Sequence, residues 1–340
     1  MLQLSDDGVH YPTGGESGEW RETFAFACYD PEPRIGVVAM VTRLPNAEKA
    51  IGRVFIVSGG QRILMTTDEV ILDPRSEEVR VGAIVLEPIK PMSSWRIRFK
   101  GSTITVRDSK LLLTPHKLFS GHPQLEQVDL DLVFTAMNTP FQFFNPETPL
   151  PIGVTAQGAA KGVSFMGTHY EQVGACEGHL RVGGSHYDVH AFGDRYHYWG
   201  GKDWRTFQEM QSYCVLFGHD ASLCLTKVKV GGLESYSGYL YRAGANYAIR
   251  NFDAELTLDR DGKMHQTVVL AAVDDTGEEV AALGEVLTHL PILKPTPEGR
   301  ALLTEALTEY KWKGYRGFGF SRFMKPLPRD AVSLTTENLV

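Results

Sequence analysis

The residues best equipped for chemistry lie in one stretch, HYEQVGACEGHLRVGGSHYDVHAFGDRYHYWGGKDW, His169–Trp204. It carries five histidines, four tyrosines and two tryptophans among several acids. Read as strand, alternate residues share a face. In YHYWGGKDW that puts His197 and Trp199 on one side, and Tyr196 and Tyr198 on the other. An imidazole titrates near neutrality, and a neighbouring carboxylate can raise its pKa and fix its tautomer. His197 is therefore the candidate acid–base residue, assisted by Tyr196, with Asp203 or Asp194 as the carboxylate. Gly200-Gly201 is expected to break the strand and return Asp203 and Trp204 toward the same cavity. Trp199 and Trp204 supply a flat apolar wall that can stabilise positive charge in a substrate. His169 and Glu171, two apart, share a strand face and suit either general acid–base work or a hydrogen-bond network at a domain junction. The plainer alternative for the stretch is barrel core, with His197 bonded to a backbone carbonyl.

Metal and cofactor chemistry find no motif. His186 and His190 are four apart, but on a strand that separation is about 13 Å, too far for one ion. No zinc-type spacing, phosphate loop or Gly-x-Ser-x-Gly elbow occurs. The expectation is no cofactor and no metal.

The elements that must position these residues show period two. Phe24, Phe26 and Cys28 alternate with small residues, Trp95, Ile97 and Phe99 with Arg96, Arg98 and Lys100, and Val128, Leu130 and Leu132 with Asp129 and Asp131. Phe252, Ala254, Leu256 and Leu258 repeat the pattern. Such strands have one dry face and one wet face. Lys100-Gly101-Ser102, Gly183-Gly184, Gly231-Gly232 and Asp261-Gly262 read as hairpin turns. Short strands with such turns predict antiparallel barrels or sandwiches rather than βαβ units. Pro297–Tyr310 has helix formers, but a strand from about Leu307 to Lys313, turning at Gly314, is preferred. Pro140–Pro151 reads as a loop, and the Gly-rich run GVTAQGAAKGVSFMG after it as irregular. The domains are placed at 1–170 and 171–340, because strong alternation resumes at Cys176.

The bulk numbers exclude some classes. A net charge of −7 over 340 residues leaves no electrostatic footprint for DNA or RNA. The apolar runs are strand-length, short of the roughly 20 residues of a membrane helix. The start MLQLSDDGVH has no basic or apolar region of a signal peptide, so a cytoplasmic location is expected. Cys28, Cys176, Cys214 and Cys224 form no Cys-x-x-Cys pair and read as buried free thiols. A homodimer is left open as the assembly.

Three segments carry a resemblance. EWRETFAFACYDPEPRIGVVAMVTRLPN (Glu19–Asn46), the His169–Trp204 stretch and YRGFGFSRF near the end resemble the two-domain lipocalin-like proteins related to carotenoid 1,2-hydratase and hydroxyneurosporene synthase. Lipocalin-like Diels–Alderases are more distant relatives of that group. The resemblance implies an all-β chain of two lipocalin-like antiparallel β-barrel domains, with an apolar cavity at or between them. It implies water addition, elimination, isomerisation or cyclisation of an apolar substrate without a cofactor. The group's Asp-His-x-Trp-Gly pattern falls on Tyr196-His197-Tyr198-Trp199-Gly200, so Tyr196 replaces the acid. Arg322 stands in the closing hairpin where an acid is expected, and suits an anionic substrate group. A lyase or isomerase for a hydrophobic or aromatic small molecule is expected, with His197, Tyr196 and Asp203 catalytic. Trp199, Trp204, His169, Glu171, Asp194 and Arg322 would bind substrate. The alternatives are a non-catalytic lipid or terpenoid binder, and a pericyclase working by shape.

Overall fold

The computed structural model describes residues 2–12, 19–60, 62–73, 75–114, 117–118, 123–202, 204–296 and 299–327. Strand pairing is antiparallel throughout, and two sheets account for it.

The first sheet is built from β1 (Glu19–Asp30), β2 (Ile35–Leu44), β3 (Lys49–Ser58), β4 (Arg62–Ile71), β5 (Val79–Val81), β6 (Ile84–Lys90), β7 (Ser94–Val106), β8 (Leu125–Ala136), β9 (Phe141–Phe143), β10 (Thr168–Val182) and β11 (Ser185–Lys202). Its strands run in the order β4-β3-β2-β1-β11-β10-β8-β7, and β7 returns to β4 through Ile63–Val106, Leu64–Thr105 and Met65–Ile104. The ring so closed is the first barrel, with the β5–β6 hairpin attached to β7. The second is a closed eight-stranded barrel: β12 (Phe207–Leu216), β13 (Ala221–Val230), β14 (Leu233–Arg242), β15 (Ala245–Leu258), β16 (His265–Asp274), β17 (Glu279–Thr296), β18 (Gly299–Trp312) and β19 (Tyr315–Leu327). The chain is all-β, as its alternation predicts. No helix among the described residues is long and apolar enough to cross a membrane.

Alternation assigns each strand face to one of three cores. Phe24, Phe26, Trp95, Phe99, Leu132 and Phe134 fill the first barrel. Tyr213, Val215, Leu225, Leu240, Val268 and Tyr310 fill the second. The outer faces of the barrels meet in a third core, where Ala27, Met40 and Phe55 pack with Leu216, Leu303 and Phe320. Strand β1 and the adjoining parts of β10 (residues 169–176) and β11 (residues 191–202) thus bury both faces, one in the first barrel and one at the junction. Their sequences carry charged residues on both.

Several expectations are corrected. The sheets change over between Lys202 and Phe207, so a division at 170/171 cuts β10, which pairs along its length with β11 of the same sheet. The alternation that resumes at Cys176 belongs to the β10–β11 hairpin of the first sheet. Lys100-Gly101-Ser102 is no turn: β7 runs through it, and Gly101 pairs with Val128. Gly183-Gly184, Gly231-Gly232 and Asp261-Gly262 do lie between consecutive strands. The Gly-rich run forms helix α1 (Ala156–Met166), capped by Thr155 Oγ1 accepting from the Gly158 N–H at 3.0 Å. Its glycines are required by proximity: a Cβ on Gly158 would sit 2.7 Å from the Glu234 carbonyl oxygen. The preferred strand near Leu307 is present, but it starts at Gly299. Cys28 and Cys176 are buried free thiols, whereas Cys214 and Cys224, cross-strand partners in β12 and β13, form a disulfide.

Gly193 lies where β11 is flanked by Cys28 of β1 and Gly174 of β10. A Cβ there would come 2.1 Å from the Ala27 carbonyl oxygen and 2.5 Å from the Cys28 Cβ. Neither neighbour is a flexible side-chain end. Gly193→Ala is expected to lower stability by about 1–3 kcal/mol, as overpacking of a buried site does. A lower urea midpoint with an unchanged slope checks this.

Candidate active site

The alternation of β10 and β11 separates the candidate residues into two clusters. Arg195, His197 and Trp199 of β11, with Tyr170 and Gln172 of β10, face into the first barrel. Asp194, Tyr196 and Tyr198, with His169 and Glu171, face the junction. His197 and Tyr196 are thus on opposite sides of the sheet and cannot act on one substrate atom.

Inside the first barrel, His197 is 1% exposed. Its Nε2 lies 3.0 Å from Glu22 Oε1, and its Nδ1 lies 3.3 Å from the Tyr170 hydroxyl. Tyr170 donates to Asp7 Oδ1 at 2.7 Å, as does Arg195. Asp7 belongs to a 3-10 turn, Leu4–Asp7, that reaches into the barrel. Its other oxygen accepts from the Trp95 indole and the Met92 backbone. Burial alone would push the Asp7 and Glu22 carboxyls up, but their partners reverse this and hold both low: Arg195 and Tyr170 for Asp7, His10 and His197 for Glu22. Burial favours the neutral ring of His197 more than Glu22 favours its cation. The carboxylate beside His197 is therefore Glu22, not Asp194. The Trp199 ring stacks on His10 at 3.7 Å rather than joining Trp204. β11 continues through Gly200-Gly201, paired with Trp20 and Arg21 of β1, so the expected strand break does not occur. Asp203 lies outside the described residues.

At the junction a cavity of about 50 Å³ is bounded by His169, Glu171, Tyr196, Lys294, Arg322 and Trp204, with Arg21 and Lys202 beside them. Three methionines, Met166, Met210 and Met324, form much of its apolar wall. Unbranched, polarisable side chains of this kind repack readily around a ligand. His169 Nε2 lies 3.1 Å from Glu171 Oε1, and Phe143 stacks on the imidazole at 4.8 Å. The other atoms of the pair, His169 Nδ1 and Glu171 Oε2, are buried without a hydrogen-bond partner among the described residues. The Tyr196 ring stands perpendicular to His169, 6.2 Å between centroids, and the Arg322 guanidinium lies over it at 5.0 Å.

Behind the cavity wall, Arg322 Nη2 binds Asp194 Oδ2 at 3.1 Å and Nε binds Glu305 Oε1 at 3.0 Å. Arg322 Nη1, Asp194 Oδ1 and Glu305 Oε2 have no partner among the described residues. One guanidinium cannot neutralise Asp194, Glu305 and Glu171 together. Burial, with Glu171 and Glu305 nearby, raises Asp194 to about 7 despite Arg322. Elsewhere in the cavity lining, loss of water and the charges of Arg21 and Arg53 lower Lys294 to about 7. Burial and Glu305 push the Tyr196 phenol well up, so it holds its proton at neutral pH. The arrangement combines a histidine–carboxylate pair, a protonated phenol and several cations around an apolar pocket.

The structure thus brings together His169, Glu171, Tyr196, Arg322 and Trp204, with Asp194 behind them. It leaves His197 and Trp199 in the other cluster. Sequence reasoning missed Lys294, Arg21, Glu22, His10 and Asp7. Two of these had a signal. Glu22 shares strand parity with Phe24, Phe26 and Cys28, and Lys294 shares it with Leu290 and Ile292. A charge in line with an apolar face marks a buried site.

The fold defines a two-barrel lipocalin-like protein, and solved structures share it. A Nitrosomonas europaea protein described provisionally as AttH is 10% identical, with a TM-score of 0.58 over 93% of this chain and 96% of that one. Kievitone hydratase from Nectria haematococca is 11% identical, with a TM-score of 0.53 over 94% of each chain. CghA is 9% identical, with a TM-score of 0.54 over 94% of each chain. No curated protein matches the sequence. The chain belongs to the family of the domain of unknown function DUF7064, whose model matches residues 3–326.

The raised pKa of Asp194 has a consequence for stability. The folded state keeps a proton that the unfolded chain releases near the ordinary 3.8. The folded state therefore binds more protons than the unfolded one between 3.8 and about 7, and stability attributable to this group falls as pH rises through that window. Asp194→Asn removes the titration while keeping a polar partner for Arg322. The drop in urea midpoint between about pH 4.5 and about pH 7.5 is expected to be smaller in the variant than in the parent chain.

Proposed function

We propose that the chain is a lyase or isomerase that moves protons on a small apolar or aromatic molecule held between the barrels. The observation that carries this reading is the His169–Glu171 pair lining one buried cavity with Tyr196, the cross-strand neighbour of Glu171, and with Lys294. Glu171 fixes the imidazole through Nε2 and leaves Nδ1 to accept a proton. A proton leaves the carbon next to a substrate carbonyl for His169 Nδ1. The electron pair moves to the carbonyl oxygen as an enolate. The Tyr196 hydroxyl donates a hydrogen bond to that oxygen, and Lys294 and Arg322 favour its negative charge. The enolate pair then returns to form the carbon–carbon double bond as the β-hydroxyl leaves, taking the proton held on His169 Nδ1 and departing as water; this completes a dehydration, and the reverse is a hydration. Return of the proton to another carbon completes an isomerisation.

The two-barrel likeness to a hydratase supports this class, as does the cationic rim. Protonating an isolated alkene demands a strong acid, and Tyr196 at the motif is a weak one. Abstraction next to a carbonyl suits the groups present. A whole lipid does not fit this cavity, since about 50 Å³ is far below the roughly 300–1,000 Å³ of pockets that enclose a drug-sized ligand. The methionine wall must move for any substrate of several carbons.

A panel of β-hydroxy and α,β-unsaturated aryl ketones and acids, incubated with the protein in D₂O, tests the proposal by mass spectrometry. Deuterium is expected next to the carbonyl of at least one compound. His169→Ala is expected to slow its incorporation by about 10²–10⁴-fold, the usual contribution of a positioned acid–base group. Tyr196→Phe should also slow it, whereas His197→Ala should matter less. Full exchange in folded His169→Ala and Glu171→Gln would sink the assignment. Conversion without proton exchange, insensitive to these changes, would favour a pericyclic reaction directed by shape.

A further inference from the structure

We propose that the first barrel holds a divalent first-row transition metal ion on His10, Glu22 and His197, separate from the cavity at the junction. The three side chains come from the N-terminal segment, β1 and β11. Their ligating atoms all lie within 4.8 Å of one another. His10 Nδ1 is 2.9 Å and His197 Nε2 is 3.0 Å from the same oxygen, Glu22 Oε1. Metal–nitrogen and metal–oxygen bonds of about 2.1 Å with donors so spaced subtend about 90° at the ion, whereas tetrahedral angles need about 3.4 Å between donors. Glu22 Oε1 and each imidazole nitrogen are therefore spaced as neighbouring ligands of an octahedral ion, and two imidazoles with one carboxylate are a known ligand set for such ions.

The surroundings are those that orient metal ligands. A ligating histidine commonly directs its other nitrogen to a carboxylate, a carbonyl or a water. His197 Nδ1 meets Tyr170, which is bound in turn to Asp7 and Arg195. His10 Nε2 lies 3.8 Å from Asp6 Oδ1. The rings are held flat, His10 against Trp199 at 3.7 Å and His197 against Phe24 at 3.9 Å. Arg43 binds the second oxygen of Glu22 at 3.3 Å, so Oε1 is the oxygen turned to the two imidazoles, where it also accepts from the His10 backbone N–H at 2.9 Å. The Glu22 and His197 side chains are 0% and 2% exposed, but His10 is 20% exposed. An ion thus has access from the His10 side, where water can complete its shell. Bound there, it would tie the N-terminal segment across the barrel mouth. The sequence offers no sign of this, because residues 10, 22 and 197 form no local motif.

The test uses the full chain, stripped with a chelator and shown to be folded by circular dichroism. It is titrated with Zn²⁺ and Mn²⁺ by calorimetry, and bound metal is counted by elemental analysis. One ion per chain is expected, with micromolar or tighter affinity for at least one of the two metals. Glu22→Gln and His10→Ala should weaken it at least tenfold, while His169→Ala leaves it unchanged. His10→Ala is decisive, because this ring is partly exposed and its loss need not unfold the barrel. Failure of the folded parent chain to bind either ion would overturn the proposal. So would unaltered binding by His10→Ala. Loss of the ion in Glu171→Gln would also overturn it, by placing the site at the junction cavity instead of in the first barrel.

Discussion

Strand β11 sits between β1 and β10, and around Asp194, Arg195 and His197 neither of its faces reaches water. That placement governs much of the rest. A buried charge must find a partner inside the protein or change its protonation state. On the barrel side, Arg195 and His197 are matched by Asp7 and Glu22, which stay ionised. On the junction side, Asp194 shares one guanidinium with Glu305 in the presence of Glu171, and its carboxyl is driven toward the neutral form. Two electrostatic outcomes arise from consecutive residues of one strand, because a step of one residue turns the side chain to the other face.

The two clusters differ in what they leave open. The barrel cluster is a chain of contacts from His10 through Glu22, His197 and Tyr170 to Asp7, and it locks a short N-terminal turn into the structure. The junction cluster is incomplete by comparison. Buried atoms of His169, Glu171, Asp194, Glu305 and Arg322 lack partners among the described residues, and methionines form much of the adjoining wall. Low dielectric raises the cost of an unpaired polar atom and also the strength of a bond made to it. A polar ligand that met those atoms would gain on both counts.

Much of the fold was legible in the sequence. The alternation at Phe24–Cys28, Trp95–Phe99 and Val128–Leu132 specifies half-buried strands, and glycine pairs mark several of the turns. It also put His197 with Trp199 and Tyr196 with Tyr198, and placed His169 beside Glu171. Strand parity does not say which two sheets a strand separates, so His197 and Tyr196 were read as one site. Glu22 and His10 lie far from His197 in sequence, and only the β1–β11 pairing joins them. Helix α1 was hidden by its glycines, which weaken intrinsic helix propensity but allow close approach to Glu234 and Phe144. There tertiary packing overrides local preference.

The position of β1 has a bearing on how the chain is made. One of its neighbours, β2, follows within a few residues, but the other is β11, which ends at Lys202. During synthesis β1 therefore waits with one edge unpaired until β11 has been made, 155 to 172 residues after Asp30. Contacts of such long sequence separation form slowly, and an exposed apolar edge is a template for pairing with other chains. The first barrel is thus begun early and finished late, and its yield in a cell depends on what shields that edge in the interval.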